Sequence, residues 1–222
     1  MRIRYLGHAG FQVVIDEVKI LVDPFITRNP STKLRLDEID KSDIVAVTHN
    51  HFDHFGDSIE LAKRDSACFV GIYDTVEIAE SNGVENTEAM NIGGTCVVRG
   101  IKVSCVPAIH TGNPCGLVFS GHEGTIYHAG DTGLFSDMRL IGELFKPDVA
   151  MLPIGGKFTM GSQEAAIAAE LVRPKAVIPM HYNTFESIRQ DPTLFAELLR
   201  SRRTDIKVII MREGETIELG VE

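Results

Sequence analysis

The hydrophobic run DIVAVT, Asp43 to Thr48, passes without a break into HNHFDHFGD, and that junction constrains the fold more than any other stretch. Ile44 to Val47 reads as a buried strand, and the end of a strand is where an α/β sheet places its chemistry. Three of the chain's eight histidines, His49, His51 and His54, fall within six positions there, with Asp53 between them. Side chains two apart on an extended chain point the same way, so His49 and His51 can converge on one ion. Asp53 and His54 follow a change of direction and can serve a second ion nearby. Neutral imidazole and carboxylate suit zinc, iron or manganese. A His-rich surface loop is the plain alternative, but this order of residue types is a recognised metal signal.

Around the junction the chain reads as a layered protein. RIRYLG, FQVVID and KILVD are three short strands, and ACFVG is another. DSIELAKRD and DTVEIAESNG have helical spacing, the second closed by Gly83. A β-rich run follows in EAMNIGG, TCVVRG, IKVSCVPA, GLVFSG and GTIYHAG. Helices in SDMRLIGELF, GSQEAAIAAELV and DPTLFAELLRSRR then alternate with strands in PDVAMLPI, PKAVIPM, IKVIIM and TIEL. That predicts roughly a dozen strands and about five helices. Each half moves from a β-rich lead to helix–strand alternation. The pattern suits two mixed β-sheets packed face to face with helices outside, a four-layer αββα sandwich in the α/β class. Nothing reads as a linker, so residues 1–222 are read as a single domain.

Bulk properties exclude some functions. The composition, 44% hydrophobic and 24% charged, is that of a globular protein. No apolar run approaches the roughly 18 residues of a membrane span, and the N-terminus alternates like a strand where a signal peptide would be apolar. The expectation is a cytoplasmic protein. Cys68, Cys96, Cys105 and Cys115 lack CxxC spacing, which fits reduced thiols. The net charge of −9 argues against nucleic acid as partner. The one compact basic cluster, Arg200, Arg202 and Arg203, ends the last helix, where cations complement the helix dipole.

Four local ligands cannot complete two ion sites. His110, Asp131 and His181 each directly follow a strand, where a sheet would deliver them to the same edge. His128 lies within its strand and reads as packed or hydrogen-bonded. His122 sits in a hairpin turn and reads as solvated.

HxHxDH after a strand, then a lone His, then GDT, then a late His resembles the metallo-β-lactamase superfamily over the whole chain. The flanking stretches YLGHAGF, LVDPFITRNP, IHTGNPCGLVF, LPIGGKFTMG and VIPMHYNTF narrow this. They look like its small bacterial and archaeal metal-dependent hydrolases, related to ascorbate-6-phosphate lactonase and N-acyl-phosphatidylethanolamine phospholipase D. The resemblance implies that His49, His51 and His110 hold one metal. It implies that Asp53, His54 and His181 hold a second, and that Asp131 bridges the two.

Two divalent ions roughly 3.5–4 Å apart can share a bridging hydroxide near neutral pH. The expected activity is therefore dinuclear metal-dependent hydrolysis of a small ester, lactone or phosphodiester. Zinc is the leading metal, with manganese and iron as the others. A nuclease of the transfer-RNA-processing type is one alternative, and the acidic charge and absent RNA-gripping insertion argue against it. An iron-dependent oxidoreductase is another, against which no Glu replaces the second motif histidine as in flavodiiron proteins. A non-enzymatic, metal-stabilised binding protein is a third, and the full ligand set counts against it.

Other residues carry open readings. Asp53 could accept a proton from the nucleophile as well as hold metal. His8, placed beside the metals by the resemblance, could donate to substrate or leaving group, or be structural. Asp23 could orient a metal-bound histidine or begin a turn. Lys157, in the Gly-rich loop from Pro153 to Gly161, could meet an anionic group on a small-molecule substrate, or be solvated. Ser162 could cap the following helix. Tyr182 could line the pocket or support the ligand loop. Phe158 and Met160 could form a pocket wall or core. A homo-oligomer is compatible with the sequence, which gives no sign for or against one.

Overall fold

The computed structural model describes residues 1–202 and 204–220, so Arg203 of the basic cluster lies outside the described residues. The chain opens with an antiparallel meander of β1 (Arg2–Gly7), β2 (Gly10–Ile15) and β3 (Val18–Val22). After a long loop, β4 (Ile44–Val47) pairs in parallel with β3. Two crossovers then add β5 (Cys68–Ile72) and β6 (Thr87–Met90), also parallel. The first crossover holds α1 (Phe52–Phe55) and α2 (Ser58–Asp65), and the second holds α3 (Tyr73–Ser81).

The second half repeats this scheme. β7 (Thr95–Val98), β8 (Ile101–Pro107), β9 (Cys115–Gly121) and β10 (Gly124–His128) are antiparallel neighbours. Then α4 (Met138–Phe145), α5 (Ser162–Val172) and α6 (Pro192–Ser201) alternate with the parallel strands β11 (Val149–Pro153), β12 (Ala176–Met180) and β13 (Lys207–Val208). The last strand, β14 (Thr216–Glu218), returns to pair with β1. The sheets are thus β14-β1-β2-β3-β4-β5-β6 and β13-β12-β11-β10-β9-β8-β7.

Packing follows from the period of two along each strand. Ile44 and Ala46 of β4 face the other sheet, with Ile178 and Met180 of β12 in the same core. Val45 and Val47 turn outward to Leu61, Val76 and Ala79 of the helices. On the opposite side, Ala150, Leu152 and Val177 meet Ala165, Ala169 and Phe195 of the helices. A strand covered on both faces has no place for polar alternation, which is why IVAV and AVIPM read as continuous apolar runs. The result is the αββα sandwich that the sequence pattern predicts.

Some local features depart from the pattern. IKVIIM yields only a two-residue strand, Lys207–Val208. The single turn of α1 is too short to show helical periodicity. Ser162 does not cap α5: it is the first helical residue, its Oγ has no hydrogen-bond partner among the described residues, and Glu164 reaches back to the Gly161 amide at 3.1 Å. Arg202 is paired with Glu170. The four cysteines are free thiols. Among the described residues no helix is long and apolar enough to cross a membrane.

Candidate metal centre

One edge of the sandwich collects the chemistry. His8 follows β1, Asp23 follows β3, His49 follows β4, His110 follows β8, Asp131 follows β10 and His181 follows β12. In a sheet of this kind ligands sit beyond the carboxyl ends of the strands, because the loops there are free to converge. The turn after β4 is made by α1, with His51 extended at its start (φ −68°, ψ 148°). Gly56 ends that turn at φ +40°, where a Cβ would lie 2.3 Å from the carbonyl oxygen of Pro24. Only glycine lets the helix close this tightly on the Asp23 loop.

The candidate ligands form two adjacent groups: His49, His51, His110 and Asp131 in one, and His8, Asp53, His54 and His181 in the other. All seven residues named from the superfamily resemblance are brought together, and His8 joins them. In the first group His49 Nε2 and His110 Nε2 lie 3.1 and 3.3 Å from His51 Nδ1. Asp131 stands between the groups. Its Oδ1 is 3.1 Å from His54 Nε2, and its Oδ2 is 3.1 Å from His181 Nε2 and 3.4 Å from His110 Nε2.

These contacts fit a cation better than mutual hydrogen bonds. His54 Nε2 and Asp131 Oδ1 are buried, and neither has a hydrogen-bond partner among the described residues despite their 3.1 Å separation. Buried polar atoms are nearly always satisfied, and a cation held between these two would satisfy both. Imidazole nitrogen with carboxylate oxygen is a donor set for divalent zinc, manganese or iron.

Asp23 fixes the rings behind the centre. Fully buried, it accepts from the Thr48 amide at 2.8 Å, the Thr48 hydroxyl at 2.7 Å and His54 Nδ1 at 2.7 Å. With its proton committed to Asp23, Thr48 Oγ1 accepts from His49 Nδ1 at 3.0 Å. One carboxylate thereby holds Nδ1 of a histidine in each group, His54 directly and His49 through Thr48, and turns both Nε2 atoms toward Asp131. Burial works to raise the Asp23 carboxyl, but the charge of His54 and its hydrogen bond outweigh this and hold it below the usual range. Burial likewise favours neutral His54, yet Asp131 and Asp23 push its pKa well up.

His8 Nε2 lies 3.2 Å from Asp53 Oδ2, without hydrogen-bond alignment, and its Nδ1 is 2.9 Å from Thr184 Oγ1. Burial, helped by neighbouring His181, lowers its pKa to about 4, so the ring is neutral near pH 7. Burial raises the Asp53 carboxyl, while the nearby His8 ring and the charge of His54 more than offset that and keep it ionised. His128 is not among the grouped ligands. Its Nε2 donates to the Ala9 carbonyl at 2.8 Å, and its Nδ1 accepts from the Gly130 amide at 3.2 Å. His122 is exposed in the β9–β10 turn.

A cleft of about 600 Å³ opens over the centre, with Phe52, Phe158, Phe185 and Ile188 in its lining. Phe158 is therefore wall, whereas Met160 is core, and Tyr182 packs against the core between β-sheet and helices. Lys157 is not part of the lining; its Nζ lies 5.3 Å from the Phe158 ring centroid. Sequence reasoning missed Thr48, Thr184, Phe52 and Phe185. Thr48 and Phe52 sit inside the histidine motif, and Thr184 and Phe185 follow His181 closely, so proximity to the motifs was the available signal.

Residues 18–182 match the model of the beta-lactamase superfamily domain. The chain is 50% identical to a UPF0173 metal-dependent hydrolase of Methanopyrus kandleri, over 98% of this chain and 100% of that protein. It is 48% identical to a metal-dependent hydrolase of Caldivirga maquilingensis, over 99% of both. It resembles the solved structure of Igni18, a metallo hydrolase from Ignicoccus hospitalis, with TM-score 0.93 and 39% identity over 100% of this chain and 99% of that one.

Proposed function

This chain belongs to the beta-lactamase superfamily and is one of its metal-dependent hydrolases, and from that premise we propose that it uses a pair of divalent ions to hydrolyse a small ester, lactone or phosphodiester. The observation that carries the reading is the two adjacent His/Asp groups, joined through the two oxygens of Asp131. His49, His51 and His110 would hold one ion, Asp53, His54 and His181 the other, and Asp131 both. When bound, such ions lower the pKa of water and neutralise charge developing on a carbonyl or phosphoryl oxygen.

The chain's own residues supply the rest. Asp23 and Thr48 orient His49 and His54, so that two ligand nitrogens point inward before metal arrives. Asp53, ionised and at the floor of the cleft, is placed to take a proton from the attacking water. His8, neutral and 3.2 Å from Asp53, would relay to the leaving group the proton that Asp53 takes from the water.

The test is a screen of zinc- and manganese-loaded protein against p-nitrophenyl esters, bis-p-nitrophenyl phosphate and lactones, with a chelated control. Metal-dependent turnover is expected, abolished by Asp53→Asn. Metal-loaded protein inert across the panel would count against hydrolysis. Retained turnover in Asp53→Asn, with both metals bound, would remove the proton-accepting role.

A further inference from the structure

The cleft over the metal centre pairs a polar floor with an apolar wall. Above the histidines and aspartates its surface is aromatic and aliphatic carbon, with Thr111 and Ser187 as the neutral polar side chains. No lysine or arginine is among the described lining residues. Phe52 and Phe185 stand with ring centroids 6.4 Å apart, and Phe25 backs Phe52 edge-on at 5.8 Å. Phe52 is 61% exposed and Phe158 54% exposed. Large apolar side chains left in water beside a pocket recover free energy when a ligand covers them.

Charge decides what that ligand carries. A carboxylate or phosphate on the part of a substrate remote from the reaction would lie against phenyl rings and lose its hydration without a cation in return. Lys157, the nearby cation that the sequence offers for such a group, is directed onto the Phe158 ring and outside the lining. The volume, about 600 Å³, is that of a drug-sized small-molecule site.

The geometry points to substrates in which the hydrolysed carbonyl bears an uncharged aromatic or branched alkyl group, held by Phe52, Phe158 and Phe185. This rests on the hydrolase reading above and narrows its substrate class to neutral apolar esters and lactones. Phe52, Phe158 and Phe185 determine specificity; they do not touch the reacting atoms.

Calorimetric titration of zinc-loaded protein with three metal-seeking probes tests it: acetohydroxamate, benzohydroxamate and 4-carboxybenzohydroxamate. Burying the phenyl ring should make benzohydroxamate bind roughly tenfold or more tighter than acetohydroxamate. The added carboxylate should erase most of that gain. Phe158→Ala, at an exposed position that does not threaten folding, should narrow the benzo-to-aceto ratio severalfold, and Phe158→Lys should shift preference toward the carboxylate probe. Equal affinity for the three probes, tightest binding of the carboxylate probe, no binding of any, or a ratio unmoved by Phe158→Ala would overturn the inference. Hydrolysis of p-nitrophenyl acetate and p-nitrophenyl benzoate, followed in parallel, separates the two claims. Aryl preference in binding without turnover would sustain the apolar cleft and defeat the hydrolase reading. Turnover without aryl preference would defeat the cleft assignment alone.

Discussion

Asp23 Oδ2 and His54 Nδ1 meet at 2.7 Å, both residues fully buried, and the same carboxylate reaches His49 through the Thr48 hydroxyl. A single aspartate therefore governs one histidine in each ligand group. Asp23→Asn should weaken metal binding at both positions, by about 10–100-fold each, as losses of outer hydrogen bonds to metal ligands do. Thr48→Val removes the hydroxyl that links Asp23 to His49 but keeps the direct contact of Asp23 with His54, and should weaken the His49 position more than the other. Competition titration with a chromophoric chelator measures both. Equal affinity in wild type and Asp23→Asn would show that the carboxylate does not orient the ligands.

His128 ties the two sheets together beneath the centre, from the Ala9 carbonyl on one side to the Gly130 amide on the other. His128→Leu is close in size but leaves both backbone groups without a partner. Each orphaned group should cost about 1–3 kcal/mol, read from urea unfolding of the metal-free protein. A change below about 0.5 kcal/mol would place the variant among ordinary surface substitutions and disprove the tie.

Gly130 precedes Asp131 at φ +59°, and a Cβ there would lie 2.8 Å from the Cys115 carbonyl oxygen and 2.9 Å from Thr48 Cβ. Gly130→Ala must move the turn that presents Asp131. Strain of this kind is expected to cost about 1–3 kcal/mol, with metal affinity falling as well. Thermal unfolding and metal titration together check it, and an alanine variant matching wild type in both would contradict the close approach.

Metal should also stabilise the fold. His49, His54 and His181 are brought together in the buried interior with Asp131, and a cation that binds only the folded chain adds free energy by mass action. Free zinc at a thousand times its dissociation constant should contribute about 4 kcal/mol per site. Differential scanning calorimetry with and without chelator should show a clear fall in Tm on metal removal, and an unchanged Tm would argue that no ion binds the native state.

Much of this was legible because period and punctuation carry strong signals. IVAV and AVIPM declare buried strands, and the histidine motif announces its position at a strand end, since ligands for one centre must cluster. What stayed hidden arises from the third dimension. The turn of α1 is too short for helical periodicity, so nothing in FDHF separates helix from loop. Ser162 has the chemistry of a cap, but Gly161 occupies that position and Glu164 serves its amide. The partnership of Asp23 with Thr48 and His54 spans 25 and 31 residues and is created only by folding, and Asp23 begins a turn as well, its carbonyl accepting from the Phe25 amide at 2.9 Å. Phe52 and Phe185 are far apart in sequence, and neither alone reveals a cleft.

The most direct measurement is metal stoichiometry by inductively coupled plasma mass spectrometry on protein stripped, reloaded with zinc and freed of excess. Two ions per chain are expected, falling to about one in His110→Ala and in His181→Ala, which remove a ligand from different groups. A wild-type protein that holds no ion, or that holds one which both variants lose together, would contradict the paired centre on which the whole reading stands.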